Sequence, residues 1–239
     1  MFYYGYGFDP TIVLLIPAMI FALVAQGMVK SAFSRYSRVR NRSGLTGAEA
    51  ARRVLDNNGL SDVEIVPISG SLTDNYDPRG RVLSLSTDVY NVDSVSAVSV
   101  ACHEAGHAIQ HARGYVPLKI RNGIVPVVNF ASSISWILIF VGLFLLFQQS
   151  GPTSQIGNLL FDIGVLAFVA VVAFHLITLP VELNASRRAI DQMESLALVA
   201  PEDLRGSRKV LRAAAMTYVA ALAMAVANLL RILAIRGRN

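Results

Sequence analysis

Cysteine is almost absent from this chain: Cys102 stands alone among 239 residues. No internal disulfide is therefore possible, and a single thiol fits a reducing compartment. Charge is scarce as well. Charged residues make up 15% of the sequence and hydrophobic residues 54%, whereas soluble domains carry about a quarter charged residues. That apolar surplus is more than one small water-soluble core can hold, and a lipid bilayer is the natural place for it. Repeats and low-complexity segments are missing too. No Lys or Arg occurs from Met1 to Phe8; the basic residues come afterwards, at Lys30, Arg35, Arg38, Arg40 and Arg42. This pattern argues for a retained anchor rather than a cleaved signal peptide. The net charge of +5 would suggest nucleic acid in a soluble protein. Here many basic residues flank apolar segments and no aromatic-basic interleaving accompanies them, so no nucleic-acid partner is expected.

Four charge-free stretches are present. They lie between Asp9 and Lys30, from Asn122 to Phe161, between Asp162 and Glu182, and between Arg212 and Arg231. Three are close to the ~20 residues with which a helix crosses the hydrocarbon core. The second is twice as long; its best spanning part is Val125 to Phe147, before a polar run from Gln148 to Thr153. The expected fold is mainly α: an integral membrane protein with about four transmembrane helices and a small α+β soluble portion. The division expected is an anchor (1–30), a soluble segment (31–121), a helix hairpin (122–180), a further segment (181–212) and a last transmembrane helix (213–239). Basic charge gathers between Lys30 and Arg121 and again between Arg187 and Arg212. The positive-inside rule then predicts a multi-pass protein of the cell membrane whose large loop faces the cytoplasm. Arg231, Arg236 and Arg238 oppose this, since a fourth span would send them outward.

Within the soluble segment, Thr46 to Asn58 has helical spacing, with Thr46 as N-cap and Glu49 three residues on. Val63–Ile68 and Val82–Ser86 read as strands, and Asn75–Gly80 between them is rich in turn formers. From Ser94, small and apolar residues run at helical spacing into His103-Glu104-Ala105-Gly106-His107.

Residues four apart on a helix share a face. His103 and His107 can thus offer ring nitrogens to one tetrahedral Zn²⁺, with Glu104 placed to take a proton from a water as general base. Gly106 would remove bulk beside the metal, at some cost in helix propensity. Three of only four histidines fall between positions 103 and 111, which favours chemistry over incidental polar contacts at a membrane surface. Cys102, next to the motif, reads as a small buried residue rather than a nucleophile. A catalytic zinc usually has a third protein ligand, and the candidates are His111, His175 and Glu182. On a straight helix His111 lies about 12 Å along the axis from His103, too far to share an ion. His175 sits inside an apolar stretch, where an ionisable residue is costly and often functional. Glu182 is the strongest: it follows Leu179-Pro180-Val181 at the end of the third apolar stretch, on the side assigned to the histidine helix. Pairing of Glu182 with Arg187 or Arg188 is the bland alternative.

His-Glu-x-Gly-His followed by Ala-Ile-Gln-His, a pair of apolar helices, and then Pro-Val-Glu-Leu-Asn-Ala-Ser-Arg-Arg-Ala resembles the prokaryotic neutral zinc metallopeptidases called YugP-like. Leu72–Pro78 and Leu83–Ser86 are also similar to that family's soluble loop, so the resemblance covers most of the chain. More distantly, the arrangement resembles the heat-shock membrane peptidase and the CAAX prenyl protease, whose third ligand is the glutamate of a Glu-x-x-x-Asp motif. That resemblance implies Glu182 as a ligand and endopeptidase activity on a polypeptide, but no substrate follows from it. One Zn²⁺ per chain and cleavage of membrane or misfolded proteins are the leading expectation, with trimming of one small exported or signalling peptide as the runner-up. The aspartate that orients a histidine in those relatives is Ser186 here, leaving Asn184 as a substitute. Such proteases present an edge strand shortly before the zinc helix, which points to Val82–Ser86 as a place for an extended substrate; an ordinary paired strand in a small sheet is the equal alternative. A non-catalytic zinc-binding scaffold is the alternative from another class, and an intact Glu104 speaks against it. A transporter is less favoured, since only His175 lies within a span. Tyr76, Tyr90, His111, Arg187 and Arg188 are candidates for stabilising the oxyanion.

Overall fold

A computed structural model of the chain describes residues 10–148 and 151–237. A short 3-10 helix (Pro10–Leu14) leads into α1 (Ile16–Tyr36), α2 (Gly47–Asn57), β1 (Glu64–Ile68), β2 (Asn75–Asp77), β3 (Val82–Ser86), α3 (Val95–Ala112), α4 (Val116–Phe147), α5 (Gly151–Ser195) and α6 (Pro201–Arg236). The fold is mainly α with a small α+β portion. Four helices, α1, α4, α5 and α6, are long and apolar enough to cross a membrane. The residues cluster into two compact units.

One unit comprises residues up to Val24, Gly123–Leu176 and the chain from Val219. Glycines let α4 and α5 approach: a Cβ on Gly142 would lie 2.7 Å from the Phe161 amide nitrogen, and one on Gly164 2.8 Å from the Ile139 side chain. Membrane helices commonly pack through such small residues, since lipid removes the hydrophobic drive between helices. Ile139, Phe161, Phe168 and Ile232 are buried at this contact. Phe130, Phe140, Phe144, Leu159 and Leu166 point outward, as suits a bundle bathed in lipid. Arg236 pairs with Asp162 of α5, and Arg231 Nε donates to Thr11 Oγ1 at 3.3 Å. Two of the arginines that oppose the orientation rule are thus engaged by partners. Arg238 lies outside the described residues.

The other unit comprises Ala25–Asn122 and Ile177–Tyr218. A capping box starts α2: Thr46 Oγ1 accepts from the Glu49 amide at 3.3 Å and Glu49 Oε2 from the Thr46 amide at 2.8 Å. Its inner face buries Ala50, Ala51, Val54 and Leu55. The sheet has the order β1-β3-β2, with β1 parallel and β2 antiparallel to β3. Leu83 and Leu85 point from β3 into a core shared with Val98, Ala101, Cys102 and Ala105 of α3 and with Ala189 and Met193 of α5.

Two expectations are corrected here. Asn75–Asp77 is a strand, paired through Asn75↔Ser84, Tyr76↔Leu83 and Asp77↔Val82, and only Pro78–Arg81 turns. Turn chemistry masked the strand because Asp77 does both jobs: it pairs through its backbone while its carboxylate accepts from the Arg79 and Gly80 amides. In consequence β3 is the central strand and not an edge. Its stretch beyond β2 is closed as well, because Asp74 accepts from the Ser86 amide at 2.7 Å and from the Ser86 hydroxyl at 3.0 Å. The edges are β1, where Pro67 is tolerated, and β2.

α3 ends in a Schellman arrangement. Gly114, at φ +63°, lets its amide reach the His111 carbonyl and the Tyr115 amide reach the Gln110 carbonyl. Along its length α3 lies against the Ile177–Ser195 part of α5, which continues through Pro180 without a break. The contact is closest at Gly106, where a Cβ would lie 2.7 Å from the Ala185 carbonyl oxygen. Gly106 therefore serves helix contact, not clearance for a metal as the sequence suggested. Gly106→Ala should force the helices apart and cost about 1–3 kcal/mol by overpacking. Thermal melting in detergent would measure this, and an unchanged melting temperature would contradict the contact described.

Candidate metal centre

The two helices meet through matching stripes. α3 contributes His103, Gly106, His107 and Gln110, and α5 contributes Glu182, Ala185, Ser186 and Ala189, each at positions i, i+3, i+4 and i+7. The close crossing at Gly106 brings the polar members of both stripes together. His103 Nε2 lies 3.2 Å and His107 Nε2 3.4 Å from Glu182 Oε2. All three ligand atoms lie within 4.8 Å of one another. Zinc bonds of about 2.0–2.1 Å at a tetrahedral angle separate ligand atoms by about 3.3–3.4 Å. The nitrogen–oxygen spacings therefore fit a shared ion, and two imidazoles with a carboxylate form a donor set suited to zinc.

Hydrogen bonds to the other ring nitrogens support the same reading. Gln110 Nε2 donates to the Val181 carbonyl at 2.8 Å and to Asn184 Oδ1 at 3.0 Å. A backbone carbonyl can only accept, so the amide orientation is fixed and Gln110 Oε1 must accept from His107 Nδ1, 3.0 Å away. With Nδ1 carrying the proton, neutral His107 turns the lone pair of Nε2 toward Glu182. Arg188 Nε donates to Asn184 Oδ1 at 2.8 Å and anchors the chain at its far end. On the other histidine, the Ser186 hydroxyl lies 3.2 Å from His103 Nδ1. Ser186 thus engages the second ring nitrogen of His103, while Asn184 reaches His107 only through Gln110.

Glu182 is only 2% exposed. So buried a carboxylate is costly unless paired, and its partners here are the histidines rather than Arg187 or Arg188. Glu104 lies beside them in a cavity of about 170 Å³ that is also lined by Asp74, Tyr76, Arg121 and Tyr218. Burial holds the Glu104 carboxyl above its ordinary range, only partly offset by His103 and His107. The Cys102 thiol is fully buried and pushed up, which makes it inert as a nucleophile.

His111 stands apart from the ligand cluster, its Nδ1 3.0 Å from the Tyr76 hydroxyl. His175 belongs to the other compact unit, half-buried with its ring edge-on to Phe174. Of the oxyanion candidates, Tyr76 lines the cavity, Tyr90 packs against the core, and Arg188 is engaged by Asn184. Sequence reasoning missed Gln110, Arg121 and Tyr218. The position of Gln110, three residues after His107, could have revealed it. Tyr218 is brought in by α6, more than a hundred residues from the motif, and nothing local marks it.

Replacing Gln110 by Leu should release His107 from its tautomer and lower zinc affinity about 10–100-fold. Glu182→Gln should lower it further, by removing a ligand, whereas His111→Gln should leave the metal bound. Chelator competition followed by metal analysis measures all three. Full zinc retention in Glu182→Gln would remove that residue from the site.

Comparison with known proteins identifies a family for the chain. The family described as "Putative neutral zinc metallopeptidase" matches residues 11–237. The chain is 48% identical over 220 residues to "Putative membrane protease YugP" of Bacillus subtilis (strain 168), covering 92% of this chain and 93% of that protein. No solved structure matches significantly. With its four apolar helices and a motif-bearing core matched from end to end, the chain is a membrane protein and belongs to the neutral zinc metallopeptidase family.

Proposed function

We propose that this protein is a membrane-embedded endopeptidase in which His103, His107 and Glu182 hold one zinc ion and Glu104 is the general base. The observation that carries the reading is the meeting of these four side chains in one buried cavity, with the ring tautomer of His107 fixed by Gln110. When bound, zinc lowers the pKa of a water and polarises the scissile carbonyl. Glu104 then accepts a proton from the attacking water and returns it to the amine nitrogen as the carbon–nitrogen bond breaks. Arg121 and Tyr218 line the same cavity and can donate hydrogen bonds to the carbonyl oxygen as charge develops there. A structural zinc site has no use for a buried carboxylate beside its ligands, which weighs against the scaffold alternative.

Unfolded or membrane polypeptides are the proposed substrates, and a multi-pass arrangement with the centre on the cytoplasmic side is the proposed topology. The basic residues between Lys30 and Arg121 and between Arg187 and Arg212 support that orientation. Pairing of Arg236 with Asp162 weakens the one objection to it.

Glu104→Gln keeps size and polarity but cannot take the proton, so hydrolysis of an unfolded protein should fall at least ~100-fold. Zinc content should stay near that of the wild type. Near-normal turnover would sink the mechanism. For topology, a cysteine replacing Ser71 in a Cys102→Ala background should resist impermeant thiol reagents in intact cells, while one replacing Ser150, outside the described residues, should react. The reverse pattern would place the centre on the outer face.

A further inference from the structure

A second cavity, of about 270 Å³, adjoins the first. The two share Asp74, His103, Glu104 and Tyr218, but neither His107 nor Glu182 reaches the second. Its remaining walls are apolar: Val29 from α1, Leu72 from the loop before β2, Val100 from α3, and Val210, Leu211 and Ala214 from α6. Apart from the shared residues and Thr217, nothing polar lines it. An apolar cavity of about 150 Å³ already takes benzene, so this one has room for a leucine, methionine or phenylalanine side chain.

Geometry of the proposed reaction says which side chain would enter. Glu104 must reach the scissile nitrogen to return the proton, and that nitrogen is bonded directly to the Cα of the residue on the amine side. The side chain of that residue therefore starts next to Glu104. Of the two cavities described at Glu104, the polar one holds the three proposed ligands and must admit the carbonyl and the water, which leaves the apolar one to take the side chain.

Resting on the function proposed above, we infer that the cavity between α1, α3 and α6 is the specificity pocket for the residue that supplies the scissile nitrogen. It selects a large apolar side chain there, and cleavage falls before Leu, Ile, Met or Phe.

Peptide hydroxamates that differ only in the side chain next to the metal-binding group test this without turnover. Isobutyl and benzyl compounds should bind the zinc-loaded, full-length protein in detergent at least ~10-fold more tightly than hydrogen or carboxymethyl compounds, as an apolar pocket discriminates. Ala214→Phe and Val29→Phe fill the space from different helices and should each abolish that preference, with zinc content reporting that the fold is intact. The new amino termini of a digested unfolded protein should be apolar in the wild type and lose that bias in both variants. Equal affinity across the series, with acetohydroxamate still bound, would overturn the pocket and leave the metal centre standing. So would a preference that survives both filled variants. Failure of the zinc-loaded protein to bind acetohydroxamate at all would sink the metal reading and the pocket with it.

Discussion

Everything at the candidate centre depends on how closely α3 and α5 cross. The absence of a β-carbon on Gly106, where one would lie 2.7 Å from the Ala185 carbonyl oxygen, lets two helices from separate parts of the chain face each other without a side chain between them. The residues that matter lie within one turn of that point: His103 three before and His107 one after Gly106, and Glu182 three before and Ser186 one after Ala185. The distances of 3.2 and 3.4 Å from the imidazoles to the carboxylate are a direct result of that spacing. A β-carbon at position 106 would add bulk where none fits, and ligand spacing would change with the helix separation.

Burial then sets the chemical character of these groups. In a medium of low polarity an unpaired carboxylate or imidazolium is expensive, so each group must find a partner or give up its charge. Glu182 lies against two imidazoles. His107 donates to Gln110, whose amide donates to Asn184 Oδ1, and Arg188 donates to that same oxygen from the other side. Glu104 keeps a raised carboxyl through burial and stands where two cavities join. The same low polarity that strains these groups strengthens every electrostatic contact among them.

Much of this was legible in the sequence, for reasons that differ from element to element. The spacing of His103, Glu104 and His107 is a helical period and needed no tertiary information. Thr46 and Glu49 announced α2 because a capping box is a local event. Apolar length marked the four long helices. Glu182 was reached by its place after Pro180 and by family resemblance, although α5 runs on past that proline where a boundary was expected. Less visible were facts that exist only between distant segments. β2 hides in turn formers because three residues on an edge carry too little pattern to outweigh Pro78 and Gly80. With β2 unseen, β3 looked like an edge. Ser186 read as a departure that left the orienting role to Asn184, yet its hydroxyl lies 3.2 Å from His103 Nδ1. Tyr218 and Arg121 come from helices whose apolar composition says nothing about what they face.

The hydrogen-bonded chain from His107 to Arg188 has a consequence for how the protein is made. Translation delivers the two histidines first, and at that moment α3 has neither the carboxylate of Glu182 nor the acceptors that orient Gln110. Those arrive only after α4 and most of α5 have left the ribosome. A nascent chain paused before that point would present loosely held histidines with no preferred tautomer, a poor competitor for scarce cellular metal. Maturation of the centre is in this way coupled to completion of the helix pair, and a half-made chain carries no finished site into the membrane.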